Sequence, residues 1–424
     1  MSPSSRSVAM EVIRRVIDEG AYSNRLLPPL LARSGLQARD RAFATELAYG
    51  TLRHRLWLDH AIEGSARRPI DRMSPGARHA LRLGAYQVLV AGVAPHAAVS
   101  ETVELAGGRE RGFVNAVLRR LVTEAPRPPE GEDESALSIR TGLSRWAVRE
   151  LRHLLGDEAE AAASALATRA PLCLRARDPA GLADRLRETG VEVTHGTVDP
   201  SCLLVQGGDP ARLPGYGQGA FAIQDQASAF VVRVLDPPPG ARVADVCAAP
   251  GGKAVFAASL VGPGGVVVAA DVHERRARVI RDEAARQGVS PLLLVQDAAH
   301  PALAAGSFDR VLVDAPCSGL GSARRRPELL WRGSKDGLTE LAARQLAVTT
   351  AARELLRPGG LLVYSVCTYP RAETDAVVDT LLARCGDLRP VPTAGPDGIA
   401  ERHRLWPHRH GADGMFVAAF ERVS

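Results

Sequence analysis

Apolar positions over the first 125 residues recur at helical spacing, in VAMEVIRRVI, AFATELAYGTL and RHALRLGAYQVLVA. Residues three and four apart share one face of a helix, so each run predicts an amphipathic helix. Asn24 follows Ser23 ahead of an apolar run and Pro75 stands near the start of another, both helix-start signals. No alternating strand pattern intervenes, and residues 1–125 read as an all-α bundle.

The stretch APRPPEGEDES (125–135) is rich in proline and acid and nearly free of apolar residues, so it reads as a linker. Residues 137–235 then mix helix-like segments (SRWAVRELRHLLG, AGLADRLRETG) with short strand-like ones (PLCLRAR, VEVTH, CLLVQG), which predicts a small α+β module. DPPPGA (236–241) punctuates its end.

From 242 onward, RVADVC, GVVVAAD, PLLLVQD, DRVLVDAP and GGLLVYSVC are Val- and Leu-rich runs of the kind that parallel strands buried on both faces require. Helix-like segments such as HERRARVIRDEAARQG lie between most of them. Alternating β and α elements predict a doubly wound, Rossmann-like sheet over residues 236–424. MFVAAFERV is expected as an antiparallel edge strand.

Length and composition add bounds. A chain of 424 residues exceeds one compact core. No run of about 18 apolar residues occurs and the N-terminus lacks a secretory apolar core, so a cytoplasmic protein without a membrane span is expected. Cysteines 173, 202, 247, 317, 367 and 385 lack the spacing of a disulfide framework or a zinc site. Net charge is +5. Residues 1–125 hold 18 Arg against 12 Asp and Glu, so the basic excess falls in the N-terminal third, as an arm meeting phosphates would carry it. The basic residues are 51 Arg and only two Lys, Lys253 and Lys335.

In an open parallel sheet, ligands bind beyond the carboxyl ends of the strands. After the first strand comes CAAPGGK: Cys247, Ala248, Ala249, Pro250, Gly251, Gly252 and Lys253. Its glycines allow close backbone approach, and the following helix start can receive a carboxylate. The second strand ends at Asp271, twenty residues after Gly251, where nucleotide-binding sheets place the acid that grips ribose hydroxyls. Asp297 ends the third strand, placed to accept from an adenine amino group. DAPCSG (314–319) ends the fourth, and YSVCTYP (364–370) the fifth. A lone strand-end Asp is more often a turn or cap residue, but five successive strand ends bearing ligand-type groups are hard to obtain by chance. The loop lacks GxxxxGK[ST] spacing, which disfavours a triphosphate and points to S-adenosylmethionine.

Cys317 and Cys367 end adjacent strands facing one crevice. Carbon 5 of cytosine is a poor nucleophile, and thiolate addition at carbon 6 activates it. One cysteine suffices for addition, and a second can assist elimination.

CAAPGGK, DAPCSGLG, YSVCTYP and PHRHGADGMF resemble the RsmB/NOP2/Sun family of RNA cytosine-5 methyltransferases, and RDRAFATELAYGTLR, LRLGAYQVL and RERGFVNAVLRRL are similar to a NusB-type RNA-binding domain. The resemblance spans nearly the whole chain. It implies a class I methyltransferase domain (236–424) behind a NusB-like bundle (1–125) and the α+β module (137–235), acting on small-subunit (16S) ribosomal RNA. It also implies Cys367 as nucleophile, Cys317 in product release, and residues 247–253, Asp271, Asp297 and Asp314 on the cofactor, with Asp314 also facing the base. Val366 stands where the family usually has Thr, and RAETD replaces PEEN.

RRRPELLWR (324–332) is expected to contact RNA through Arg324, Arg325, Arg326 and a stacking Trp331. His403, His408 and His410 lie in the family-like C-terminal motif and no metal is expected. A monomer is expected. Two rival readings stand beside this one. A non-catalytic RNA-binding assembly factor would need neither the cysteine pair nor the cofactor loop. An amino-directed N-methyltransferase would carry a polar-Pro-Pro-aromatic motif in place of DAPC.

Overall fold

The computed structural model describes residues 3–206 and 208–423, and the chain divides into two compact units: residues 1–168 with 323–332, and residues 169–322 with 333–424.

The first unit is helical. It comprises α1 (Ser5–Asp18), α2 (Ser23–Arg33), α3 (Ala38–Arg53), α4 (Arg55–Ala66), α5 (Pro75–Leu89), α6 (Pro95–Leu105), α7 (Arg111–Glu124), α8 (Glu134–Thr141), α9 (Arg145–Leu155) and α10 (Ala159–Leu166). The start signal at Pro75 holds: Ser74 caps α5, its hydroxyl accepting from Ala77 N–H, and Pro75 takes the first turn, where its missing N–H is harmless. Ser23 opens α2 without capping it. Its N–H and hydroxyl instead donate to the buried Glu328 carboxylate at 3.0 and 2.7 Å.

Val12, Ile13, Leu47, Leu58, Leu81 and Leu118 form the centre of one continuous core. Each such side chain contributes about 1.5–3 kcal/mol when fully buried. α3 and α5 meet where a Cβ on Gly50 would lie 2.0 Å from the Tyr86 ring, so only glycine fits.

The unit boundary falls at 168–169 rather than in the acidic stretch 125–135. Helices α8–α10, which the sequence pattern grouped with the strands that follow, bury Leu137, Val148, Leu151 and Leu166 within the first unit. An amphipathic stripe states that a helix has a core-facing side without stating which core it faces.

The second unit opens with a four-stranded antiparallel sheet: β1 (Leu172–Ala176), β2 (Val193–His195), β3 (Cys202–Val205) and β4 (Phe221–Ile223), in the order β2-β3-β1-β4, with α11 (Pro179–Glu188) alongside. After α12 (Gln226–Leu235) comes the large sheet, built on β5 (Arg242–Asp245), α13 (Gly252–Val261), β6 (Val266–Asp271), α14 (Glu274–Gln287), β7 (Leu292–Val295), β8 (Phe308–Asp314), α15 (Lys335–Arg353), β9 (Leu356–Val366) and α16 (Asp375–Arg384). The chain closes with β10 (Leu388–Pro390), the hairpin β11 (Thr393–Gly395) and β12 (Gly398–Ala400), β13 (Arg402–Leu405), α17 (Pro407–His410) and β14 (Met415–Arg422).

The five expected strands are present and parallel, in the order β7-β6-β5-β8-β9. β14 is antiparallel to β9 as expected, yet it is not an edge, because β10 pairs along its other side. The three residues of β10 are too few to show a periodicity. β7 departs in burial: Leu292 is 60% exposed and Val295 50%, since this edge strand lacks the cover its composition implies.

Candidate active site

Chain reversal at β5, where the strand order runs outward in both directions, opens a crevice at the carboxyl ends of β5, β6, β8 and β9. The 247–253 loop turns there from β5 into α13. Ala248 N–H donates to Ala270 O at 2.8 Å and Gly251 N–H to Ala248 O at 2.7 Å, pinning the turn against β6. Gly251 has φ +111° and caps α13. A Cβ there would press on Ile280 at 3.1 Å, so both conformation and space demand glycine. The loop presents the free amides of a ten-residue helix to the crevice.

Asp271, 4% exposed, ends β6. It accepts from His273 N–H at 3.0 Å and faces Arg276 at 3.4 Å, while Arg276 also donates to Ala249 O at 3.0 Å. One arginine thus ties the loop to the acid. Asp297 follows β7 and is half exposed, its carboxylate accepting from Ala299 N–H at 3.0 Å. That bond holds its carboxyl below the usual range.

Asp314, at the end of β8, is gripped from two sides. Lys253 Nζ donates to Oδ2 at 2.8 Å and Ser365 Oγ to Oδ1 at 2.8 Å. Burial alone would depress the Lys253 ammonium, but the Asp314 charge and hydrogen bond, with a further contribution from Cys367, hold it above its ordinary value. A compact ammonium therefore stays charged beside the thiols.

The sulfurs of Cys317 and Cys367 lie 3.5 Å apart, and Ser322 Oγ points at Cys367 Sγ from 3.9 Å. The Cys317 thiol is raised well above its ordinary range, first by its hydrogen bond to Cys367, then by burial and the nearby charges of Cys367 and Glu373. It keeps its proton. Cys247 also stays a thiol, pushed up by burial and then by Asp245, and packs into the core around β8 and β9. Cys173, Cys202 and Cys385 are buried, as expected of core thiols.

Sequence reasoning passed over two acids here. Glu373 is fully buried and accepts from Ser318 N–H at 2.8 Å, from Ser318 Oγ, and from Gln345 Nε2 at 2.9 Å. It fixes the backbone directly after Cys317. Its place in RAETD, where the family text has PEEN, was the available signal. Asp245 is 1% exposed, accepts from Cys247 N–H at 3.3 Å, and has Oδ2 without a hydrogen-bond partner among the described residues. Burial, then the charge of Asp314, pushes its carboxyl up to about 7. It stands two residues before the loop, in ADVC.

The C-terminal motif supports the cysteine loop. Gly321 N–H donates to Cys367 O at 3.0 Å and Gly414 N–H to Gly321 O at 2.8 Å, and a Cβ on Gly321 would lie 2.1 Å from Gly414 O. His403 bonds to Thr393, and His410 accepts from Trp406 N–H while facing Asp397. Among the described residues no group of three or more His, Cys, Asp or Glu is gathered for a metal.

The 324–332 segment belongs to the helical unit. Trp331 Nε1 donates to Leu52 O at 3.1 Å, Arg55 covers its ring at 4.1 Å, and Arg332 donates to Val16 O and Ala21 O. Arg324 is 8% exposed, and its carbonyl accepts from Arg53. Trp331 and Arg324 are thus engaged in packing within this unit, partners that residue type alone does not show. Arg325 and Arg326 sit in the same segment.

A Rossmann-like sheet, a glycine-bent loop at a helix start and an acid ending the next strand define a nucleoside-cofactor transferase of the S-adenosylmethionine-dependent methyltransferase class. Residues 232–421 match the family described as 16S rRNA methyltransferase RsmB/F, and residues 3–123 match the NusB family. A methyltransferase of Mycobacterium tuberculosis (strain CDC 1551 / Oshkosh) is 38% identical, covering 99% of this chain and 97% of its own. The ribosomal RNA small subunit methyltransferase B of Klebsiella pneumoniae (strain 342) is 31% identical, with 97% of each chain covered. The crystal structure of PH0851 aligns over 100% of both chains with TM-score 0.84 and 25% identity. The chain belongs to the RsmB/F family of S-adenosylmethionine-dependent ribosomal RNA methyltransferases. No described helix is long and apolar enough to cross a membrane.

Proposed function

We propose that this methyltransferase acts on carbon 5 of a cytosine in 16S ribosomal RNA through a covalent bond between Cys367 and carbon 6. The observation that carries the reading is the pair of thiols 3.5 Å apart beside the Lys253–Asp314 ion pair. Methylating a base nitrogen requires no thiol, and binding RNA requires no pair.

The residues fit the cofactor. Helix α13 offers N–H groups for its carboxylate, Asp271 offers a buried acceptor for ribose hydroxyls, and Asp297, beyond β7, would accept from the adenine amino group. S-adenosylmethionine supplies an electrophilic methyl group when bound. The protein's part lies on the base. The Cys367 thiolate adds to carbon 6, leaving carbon 5 electron-rich and able to take the methyl. The nearby Lys253 ammonium favours the thiolate over the thiol. A base then removes the carbon 5 proton, and the electrons of that C–H bond restore the ring double bond as the carbon–sulfur bond breaks. Cys317, kept protonated, is placed to assist release of the Cys367 sulfur.

RNA carrying 5-fluorocytosine tests the reading. Fluorine replaces the departing proton, so the adduct cannot collapse, and the protein should remain bonded to methylated RNA on a denaturing gel. Transfer of label to a base nitrogen, without an adduct, would overturn it.

A further inference from the structure

At the amino ends of β6 and β7, across the sheet from the thiols, a cavity of about 700 Å³ opens between α13, the turns at 262–265 and 288–291, and the small antiparallel sheet. Among the described residues three arginines line it and no carboxylate does: Arg175 on β1, Arg177 just beyond, and Arg233 on α12. Arg175 is 2% exposed. Its Nε donates to Gln224 at 2.6 Å, its guanidinium lies 4.1 Å from the centre of the Phe256 ring, and its Nη2 has no hydrogen-bond partner among the described residues. Arg233 lies 4.9 Å from the centre of the same ring and pairs with Asp199 at 2.9 Å. Arg177 is exposed.

The buried Arg175 guanidinium meets an amide and a ring but bonds to no carboxylate directly, and the charges of Asp199 and Glu283 reach it only through space. Burial lowers Arg175 to about 10, which still leaves it charged at neutral pH. Asp199 offsets one charge, and Glu283, the other carboxylate acting on Arg175, is itself paired with Arg286. The helix ends at Gly262 and Gly288 add about half a negative charge each. Three guanidiniums exceed these, and the cavity stays positive. Planar N–H forks match the oxygens of a phosphate group better than any monovalent halide.

We propose that this cavity is an oxyanion site that takes one phosphate group on Arg175, Arg177 and Arg233, either a backbone phosphodiester of the RNA substrate or free inorganic phosphate. The first source rests on the RNA methyltransferase reading, and the second does not. The site lies at the opposite strand ends from the methyl-transfer centre and touches none of its residues.

The test compares the full chain with Arg177→Gln and with the double variant Arg177→Gln/Arg233→Gln. Arg175 is left intact because its burial ties it to folding, and the exposed Arg177 gives a variant that keeps the fold. Inorganic phosphate is titrated calorimetrically at low salt, and binding of a 16S RNA fragment is followed across a salt series. A free-phosphate site shows saturable phosphate binding that weakens at least tenfold in the double variant, with RNA binding unchanged. An RNA-backbone site shows a salt slope shallower by about 0.7–0.9 for each lost phosphate contact. Wild-type and variant proteins with the same phosphate affinity and the same RNA salt slope would overturn the proposal. Absent methyl transfer to RNA in the wild type would count against the function reading alone and would leave the phosphate titration meaningful.

Discussion

Cys317 and Cys367, fifty residues apart in the chain, face each other at 3.5 Å, and the surroundings of Cys317 hold it as a thiol. A protonated Cys317 accords with the proposed division of roles. A group that keeps its proton suits elimination, and its neighbour beside Lys253 suits attack.

The two cysteines should therefore fail differently. Cys367→Ala should give neither methylated product nor covalent complex. Cys317→Ala should still add and methylate, then stall, leaving a retarded band of enzyme bonded to RNA on a denaturing gel. A band from Cys367→Ala instead would reverse the assignment.

Asp271→Ala removes a buried acceptor at the end of β6 and should weaken S-adenosylmethionine binding by about 1–3 kcal/mol, the cost of leaving ligand hydroxyls unmatched. Calorimetry on the full chain measures this directly. Wild-type affinity would move the ribose contact elsewhere.

Asp245 predicts a pH dependence. Its folded carboxyl titrates at about 7 against an ordinary value near 3.8, so the fold favours the protonated form. Below pH 3.8 both states are neutral and nothing is lost. Between pH 3.8 and 7 the unfolded chain ionises while the fold retains its proton, so stability falls; above 7 the penalty is constant. A displacement of that size corresponds to about 4 kcal/mol at most. Asp245→Asn has no such titration, so its stability relative to the wild type should rise between pH 4 and 7.5 in cofactor-free protein. Urea midpoints that keep one constant difference across that range would show that Asp245 is ionised throughout.

Trp331→Ala should act on folding before it acts on RNA. The ring packs on the helical core, bonds to Leu52 O and carries Arg55, so truncation should cost about 2–4 kcal/mol. Thermal melting of the variant measures it. A variant with unchanged melting but weakened RNA binding would show that Trp331 acts by stacking.

The sequence by itself determined what local chemistry controls. Val- and Leu-rich runs specify strands that must be buried, and helices between them specify a parallel sheet, so β5 to β9 and their parallel pairing were legible in the sequence alone. Gly251 was legible because a tight strand-to-helix turn tolerates no side chain. The acids and thiols followed once the strand ends were known, since such sheets bind ligands there.

Tertiary structure decided everything that joins distant positions. The Lys253–Asp314 pair spans 61 residues, and the Glu373–Ser318 bonds that hold the Cys317 loop span 55. The 324–332 segment, basic and aromatic as written, pins itself to helices some 300 residues away through Glu328, Trp331 and Arg332. Helices α8–α10 likewise belong to the helical unit rather than to the one holding the strands that follow them in the chain. Periodicity reports that a side chain has a buried face, and residue type reports what it can bond. Which partner meets it depends on packing and burial summed over the whole unit, and no local stretch of sequence contains that sum.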